Sequence, residues 1–440
     1  MSTVAVIAEF NPFHKGHAYF LRQARHLTGA ACCLAIMSGD FVQRGAPAIY
    51  DMHMRGEMAL RNGADLVLEL PVRYACSSAE KFASGAVFLL NKLGVVDYLA
   101  FGAECDSLES LSRIADILYE EPESYRNILK EYLRSGMSFP AAREAAIKAF
   151  FQEAGHDEAG SLPGLLGQPN NILAIEYLKA LRLYASPIKP LLIPRCGDYH
   201  YSFPGIREES DPSQVKDPSF LSAESIRVLM KASFQEPNQW KEALPDSVFS
   251  IITAEKYGAC LMDEDFFSGI LRYVLTMSDI RDLSEIEGIS SDLAARIIDR
   301  RNEFSSFSQF TGLLKSKEIT YTAISRALIH LILHLKKTDT VRIHPARPEA
   351  LSSPETRPPS AYVRLLGLRK SSSSILHEIR KRSSLTLISK AAQARGLLSE
   401  KDYASFLQDI QAAHIYEGLL SQKTGLPFRH EFTRKIVILE

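Results

Sequence analysis

Four short, almost uninterrupted apolar runs in the first hundred residues constrain this chain more than any other feature: Val4–Ala8, Cys32–Met37, Leu66–Leu70 and Tyr98–Phe101. Strands buried on both faces lose the polar alternation of half-exposed strands, and they belong to parallel sheets covered by helices on either side. The stretches between the runs carry helical periodicity, over Gly16–Leu27, Asp51–Arg61 and Ser78–Leu93. Asp51 and Ser77 or Ser78 supply N-caps for the last two, because their side-chain oxygens can accept orphan N–H groups of the first turn. The pattern predicts an α/β fold with a Rossmann-like parallel-sheet core. Residues 106–185 read as a helical insertion, and Ile188–Ile193 as a further strand.

Beyond that core, residues 196–220 form a polar, Pro-bearing stretch and 222–338 are helical in pattern. Five of the chain's 21 prolines fall within 341–360, which is linker composition. The predicted organisation is a catalytic domain over 1–235, a helical domain over 236–340 that could contact RNA, a linker over 341–360, and a basic segment over 361–440. Charge supports a functional division. The whole chain carries 51 Lys and Arg against 52 Asp and Glu, a net of −1, which alone argues against a dedicated nucleic-acid binder. Residues 341–440, however, hold 16 basic and 9 acidic residues, and the first 340 hold 35 and 43. No apolar run approaches the ~20 residues needed to span a bilayer, so no membrane association is expected. The opening residues read as a first strand, not as a signal peptide. The six cysteines show no CxxC pairing, which points to a reduced, cytoplasmic protein without a zinc site. Oligomeric state is not legible.

The strongest chemical signal is Ala8-Glu-Phe-Asn-Pro-Phe-His-Lys-Gly-His17, at the end of the first strand. A strand that enters a tight turn and then a helix aims unpaired backbone N–H groups, and the positive end of the helix dipole, at one point. That is an anion site. His14 and His17, three apart at the helix start, can face one ligand, and their ring N–H groups can stabilise charge developing on a phosphate. Gly16 between them lets a nucleotide approach the backbone closely. The bare HxGH can also be read as a turn followed by two surface histidines; the strand before it and the helix after it favour the site.

The longer string resembles one branch of the HxGH nucleotidyltransferase superfamily, which includes pantetheine-phosphate adenylyltransferases and class I aminoacyl-tRNA synthetases. That branch is the tRNA(Met) cytidine acetate ligases. Four further stretches are similar to it: Met37-Ser-Gly-Asp-Phe-Val-Gln-Arg-Gly45, Phe101-Gly-Ala-Glu104, Pro169-Asn-Asn-Ile-Leu173 with Glu176-Tyr-Leu-Lys179, and Ser222-Ala-Glu-Ser-Ile-Arg227. The resemblance covers at least residues 3–230, and more weakly the helical region and Tyr362-Val-Arg-Leu-Leu-Gly367. It implies an enzyme that joins acetate to ATP as acetyl-adenylate, releases pyrophosphate, and acetylates the exocyclic amine of the wobble cytidine of elongator tRNA(Met). The implied ATP site comprises Ile7, Ala8, Glu9, Phe10, Asn11, Pro12, Phe13, His14, Lys15, Gly16, His17, Ala18, Tyr19 and Phe20, completed by Gly102, Asn170 and Arg195. Asn170 and Asn171 are adjacent, and the family pattern favours the first. Ser222 and Arg227 resemble the superfamily's second phosphate-binding motif, with Glu224 a departure from the commoner Ser-Ala-Thr spelling. Mg²⁺ is expected with ATP, held mainly by its phosphates.

Other residues leave alternatives open. Asp40, after the second strand, is either a turn and capping residue or the base that takes the cytosine amine proton. Leu283-Ser-Glu-Ile-Glu-Gly-Ile-Ser-Ser resembles a helix-hairpin-helix, but the match is short and an ordinary helical bundle is the preferred explanation. Arg44 and the run Arg380, Lys381, Arg382 can contact tRNA phosphates, as can Arg364, Arg369, Lys370, Arg429, Arg434 and Lys435; a solvated basic surface is the plain alternative. Two rival functions are an adenylyltransferase acting on a small molecule, and a non-catalytic RNA-binding protein on an ATP-binding fold.

Overall fold

The computed structural model describes residues 2–153, 164–194, 221–337 and 361–440. The expected strands form as β1 (Thr3–Ala8), β2 (Cys32–Ser38), β5 (Leu66–Leu70), β6 (Tyr98–Ala103) and β7 (Lys189–Pro194). A two-residue hairpin, β3 (Phe41–Val42) with β4 (Ala46–Pro47), follows β2. Chain order and sheet order differ: β1 is flanked by β2 and β6, and all pairings among β5, β2, β1, β6 and β7 are parallel.

Why these runs are strands is visible in their two faces. Along β2, Cys33, Ala35 and Met37 enter one core cluster, while Cys32, Leu34 and Ile36 enter the other. Each face is covered by helices, so no position along the strand can be polar without burying an unpaired group. Burial pushes the thiols of Cys32 and Cys33 up to about 12, consistent with packing groups.

Segment 361–440 does not stand apart behind a linker. It supplies β8 (Tyr362–Arg369), which pairs antiparallel with β5, and then β9 (Thr386–Ile388) and β10 (Val437–Leu439), both parallel to β8. The boundary suggested by composition therefore does not divide the sheet. The run Tyr362–Leu368 is apolar except for Arg364, and it is buried because it fills the open edge of β5. The Pro-rich stretch 341–360 lies outside the described residues.

The helical insertion forms as predicted, with helices Leu108–Glu120, Glu123–Arg134, Phe139–Glu153 and Pro169–Leu183. Helices between 222 and 337 share one continuous core with the β1 and β2 face that carries helix Lys15–Thr28. This shared core brings the helical region against the loops at the carboxyl ends of β1 and β2. Those ends are where ligands of open parallel sheets collect.

Candidate active site

His14 is the N-cap of helix Lys15–Thr28, in extended conformation (φ −137°, ψ 173°). Its Nδ1 accepts the Gly16 N–H at 3.1 Å, and His17 Nδ1 accepts the His14 N–H at 3.3 Å, so the two imidazoles close a capping box. A ring nitrogen that accepts carries no proton, so the neutral imidazole must hold its proton on the other nitrogen. Both histidines are thereby fixed as Nε2–H donors. Their rings lie 3.8 Å apart, with Phe10 and Phe13 packed against His17 at 5.1 and 5.4 Å.

The loop before the helix is tied down from several directions. Phe10 adopts a left-handed conformation (φ 48°) and the Asn11–Pro12 bond is cis. Asn11 Oδ1 accepts the Ile49 N–H at 2.8 Å, and Glu9 Oε1 accepts the Gln43 N–H at 3.0 Å. Arg55, wholly buried, donates to the carbonyls of Glu9 and Ser38 at 2.6 and 3.1 Å, to that of Tyr50 at 2.8 Å, and to that of Gly39. One guanidinium thus fixes the ends of β1 and β2 relative to each other. Arg55 escaped the sequence reading. A signal existed: it lies three residues after Met52 and three before Met58, on the buried side of helix Met52–Arg61.

The helical region supplies the other ties. Ser222 caps helix Ala223–Ser233, accepting the Ser225 N–H at 3.1 Å, and Arg227 from that helix donates to the Asn11 carbonyl at 2.6 Å. The Ala243 carbonyl accepts the Lys15 N–H at 2.9 Å. Burial lowers Arg227 from the usual guanidinium value, and Glu9 opposes that fall. Glu224, in the first turn of helix Ala223–Ser233, is exposed and pairs with Arg44 at 2.7 Å. The β3–β4 turn docks on helix Tyr321–Ile332, where Ser325 donates to the Gly45 carbonyl at 2.6 Å and Arg326 to that of Gln43 at 3.3 Å. Gly45 has φ 78°, and a Cβ there would stand 2.3 Å from the Arg326 backbone nitrogen.

On the other side of β1, Gly102 is the penultimate residue of β6. Beyond it, Glu104 accepts from Asn170 Nδ2 at 2.5 Å and from the Asn171 N–H at 2.9 Å. Asn171 is fully buried, its amide bonded to the Cys105 N–H and to Gln168, whereas Asn170 is half-buried. Of the two, Asn170 is the more accessible. Arg195 lies outside the described residues.

Asp40 is 6% exposed and accepts the Met52 N–H at 2.7 Å. Burial pushes its carboxyl up to about 7; Asp51 adds to the rise and Arg55 opposes it. It faces an ionic network in which Asp51, N-cap of helix Met52–Arg61, is paired with Arg429 at 3.4 Å and Arg434 at 3.2 Å. Glu431 joins His53 at 3.1 Å and also Arg364, which bonds Glu69 at 3.2 Å. Burial works against Glu431, yet the His53 hydrogen bond with Arg364 and Arg434 holds its carboxyl below the usual range. Arg364, Arg429 and Arg434 are therefore partners of internal carboxylates, and Arg369 bonds the carbonyls of Leu60 and Ala64. Sequence reasoning placed these four among the tRNA contacts because it could not see partners some 300 residues distant.

The exposed run Arg380, Lys381, Arg382 ends helix Ser374–Arg382. Arg382 pairs with Glu378 at 2.9 Å and lines a recess of about 340 Å³ with Ser2, Gly94, Asp97 and Lys189, all at the amino ends of β1, β6 and β7. The structure does not bring this run to the histidines, which stand at the other end of β1. A tight turn over 286–290, with Gly288 at φ 81°, joins helices Ile280–Glu285 and Ser291–Arg300. Among the described residues no group of three or more His, Cys, Asp or Glu could hold a metal, and no helix is long and apolar enough to cross a membrane.

Comparison with known proteins decides the family. The family model for HIGH Nucleotidyl Transferase matches residues 1–427. A tRNA(Met) cytidine acetate ligase of Thermoanaerobacter sp. (strain X514) is 37% identical over 98% of this chain and 99% of its own length. The enzyme of that name from Acetivibrio thermocellus is 33% identical over the full length of both. This chain belongs to the tRNA(Met) cytidine acetate ligase family. Crystal structures of Thermotoga maritima TmcAL, apo and bound with alpha-thio ATP, superpose with TM-scores of 0.87 and 0.85 at 29% identity, covering both chains completely. In this tRNA(Met) cytidine acetate ligase homologue, the ATP-type site expected from the sequence corresponds to the loop between β1 and helix Lys15–Thr28.

Proposed function

We propose that this protein activates acetate with ATP and transfers the acetyl group to the wobble cytidine of elongator tRNA(Met). The observation that carries the reading is the His14–His17 capping box, because it presents two Nε2–H donors at a helix N-terminus. In the first step an acetate oxygen attacks the α-phosphorus of ATP and pyrophosphate leaves. Negative charge gathers on the phosphate oxygens, where preorganised donors stabilise the transition state more than the ground state. His14 and His17 serve the α-phosphate, and Ser222 and Arg227 the departing pyrophosphate. Gly102 and Asn170 flank the nucleotide, as Arg195 would, and Mg²⁺ enters with the phosphates. In the second step the cytidine amine attacks the acyl carbon, AMP leaves, and the amine gives up a proton.

Asp40 acts in this reading as a positioning residue, since its carboxyl is buried and accepts the Met52 N–H. Arg380, Lys381 and Arg382 meet phosphates of the tRNA body, at a distance from the reacting base.

The test is acetate-dependent exchange of pyrophosphate into ATP, followed by nucleoside analysis of tRNA incubated with ATP and acetate. Exchange with acetate and acetylated cytidine in tRNA(Met) are expected. Exchange with a different acceptor would indicate a small-molecule adenylyltransferase, and no exchange would indicate a binding protein.

A further inference from the structure

A group of rings near Asp51 serves no role in the ATP site. His414, on helix Glu400–Thr424, has its ring centroid 4.2 Å from that of His430 and 5.3 Å from that of Phe428. Phe432 adds a fourth ring, 5.2 Å from His430. Phe428 is 44% exposed and His430 is exposed as well. The Phe428 and His430 rings meet edge-on, 6.2 Å apart at 75°, so a planar ligand can stack on one ring while its edge meets the other.

The cluster is held from behind. His414 Nε2 accepts the Glu431 N–H at 3.1 Å, and His430 Nδ1 accepts the Phe432 N–H at 3.2 Å. Glu431 is itself anchored to His53 and Arg364, so the loop that bears the rings is fixed before any ligand arrives. Preorganisation of this kind lowers the entropy lost on binding. Of the cations in this stretch, Arg429 and Arg434 are engaged by Glu417, Asp51 and Glu431, and Lys435 is exposed. Through Arg364 the group adjoins Glu69 near the carboxyl end of β5, the edge on which the His14 loop also opens.

We propose that Phe428 and His430 form a stacking platform for an unpaired base of the RNA substrate, with Lys435 beside its phosphate. The proposal rests on the reading of the protein as a tRNA ligase and deepens it, since it names a contact to base rings where the basic run offers contacts to phosphates alone. Single-stranded nucleotides are held by aromatic and histidine rings, a sequence-tolerant contact available only where bases are splayed out of a helix. The loop that presents a wobble cytidine is such a place. A protein partner would call for a broader apolar face than four rings.

The chain has one tryptophan, Trp240, 1% exposed, so a Phe428→Trp variant reports on the platform with little background. Saturable quenching of its emission by a tRNA(Met) transcript is expected, with no comparable change in the parent protein. A Phe428→Ala, His430→Ala double variant should raise the KM for tRNA about tenfold or more, leave acetate-dependent pyrophosphate exchange within about twofold, and be rescued by Phe428→Tyr with His430→Phe. An unchanged KM for tRNA in the double variant, or emission indifferent to tRNA, overturns the platform. Quenching by tRNA without any acetylated cytidine from the parent protein upholds the platform and removes the ligase reading. Acetylated cytidine with an unchanged KM does the reverse.

Discussion

Arg227 donates a 2.6 Å hydrogen bond to the main-chain carbonyl of Asn11, across 216 residues of sequence. The contact joins the helix that begins at Ser222 to the turn that delivers His14. A residue inferred to meet the leaving pyrophosphate therefore also holds the loop meeting the α-phosphate. Arg227→Ala should lower acetate-dependent exchange by about 10²–10³-fold, with a rise in KM for ATP as well as a fall in turnover. Arg227→Lys keeps the charge but not the fork, and should recover only part of the loss. Equal exchange rates in all three proteins would dismiss both roles.

The imidazole of His14 does two jobs that substitution can separate. As an N-cap it accepts the Gly16 N–H, a role asparagine fills well and alanine does not. His14→Ala should lose about 1 kcal/mol of stability in a denaturant titration, and His14→Asn considerably less. Both should lower adenylate formation by about 10²–10³-fold, because neither offers the Nε2–H. If His14→Asn turned over like the parent protein, the donor role would be abandoned.

Gly45 is held at φ 78° against the backbone of Arg326. Gly45→Ala meets both the left-handed penalty of about 1–2 kcal/mol and a backbone clash that no rotamer can relieve. A melting temperature lowered by several degrees is expected, together with impaired exchange, since the same turn carries the Gln43 N–H that holds Glu9. A variant with unaltered melting would mean that the turn can lift off helix Tyr321–Ile332 without consequence.

Asp51 and Asp40 should bend the pH–stability curve in opposite senses. Burial opposes ionisation of Asp51, but Arg434 and Arg429 hold its carboxyl below the usual range, so the unfolded chain binds its proton first as pH falls. Its contribution is complete above the unfolded value near 3.9 and disappears below it; Asp51→Asn should flatten the acid limb. Asp40 is raised to about 7, so the folded protein keeps a proton that the unfolded chain releases. Stability then falls as pH rises between roughly 4 and 7. Relative to the parent, Asp40→Asn should gain from pH 5 to pH 8, and denaturant midpoints across that range test the sign.

Charge reversal of Arg380, Lys381 and Arg382 should weaken tRNA binding and reduce the salt slope by about 2–3, with exchange unaffected. Because these side chains stand at the amino ends of the strands, the acetylation rate at saturating tRNA should also stay unchanged. A loss confined to turnover would place the wobble base near them instead.

The β1-to-β7 core was legible because each strand is buried on both faces and so reads as an apolar run. The loop that carries His14 was legible as strand, turn and capped helix because those signals all act within ten residues. Arg55, Arg364 and Glu431 were not. A buried charge is stabilised by partners that the tertiary fold supplies, and Glu69 and Arg364 lie 295 residues apart. Local composition could not distinguish Arg364, inside a carboxylate pair, from Arg380, facing water. The same blindness made 361–440 look like an appended basic segment: charge counts register how many cations there are, not which of them are neutralised within the fold.

The antiparallel match of β5 with β8 has a consequence for how the protein is made. On a ribosome, β5 emerges with its outer row of amides and carbonyls unpaired, and it must wait for almost 300 further residues before Tyr362–Arg369 can cover it. For that interval the nascent sheet offers an open edge to any neighbouring chain. Fragments that stop short of residue 361 would keep that edge permanently, so they should associate with one another even if the nucleotide loop had already taken shape.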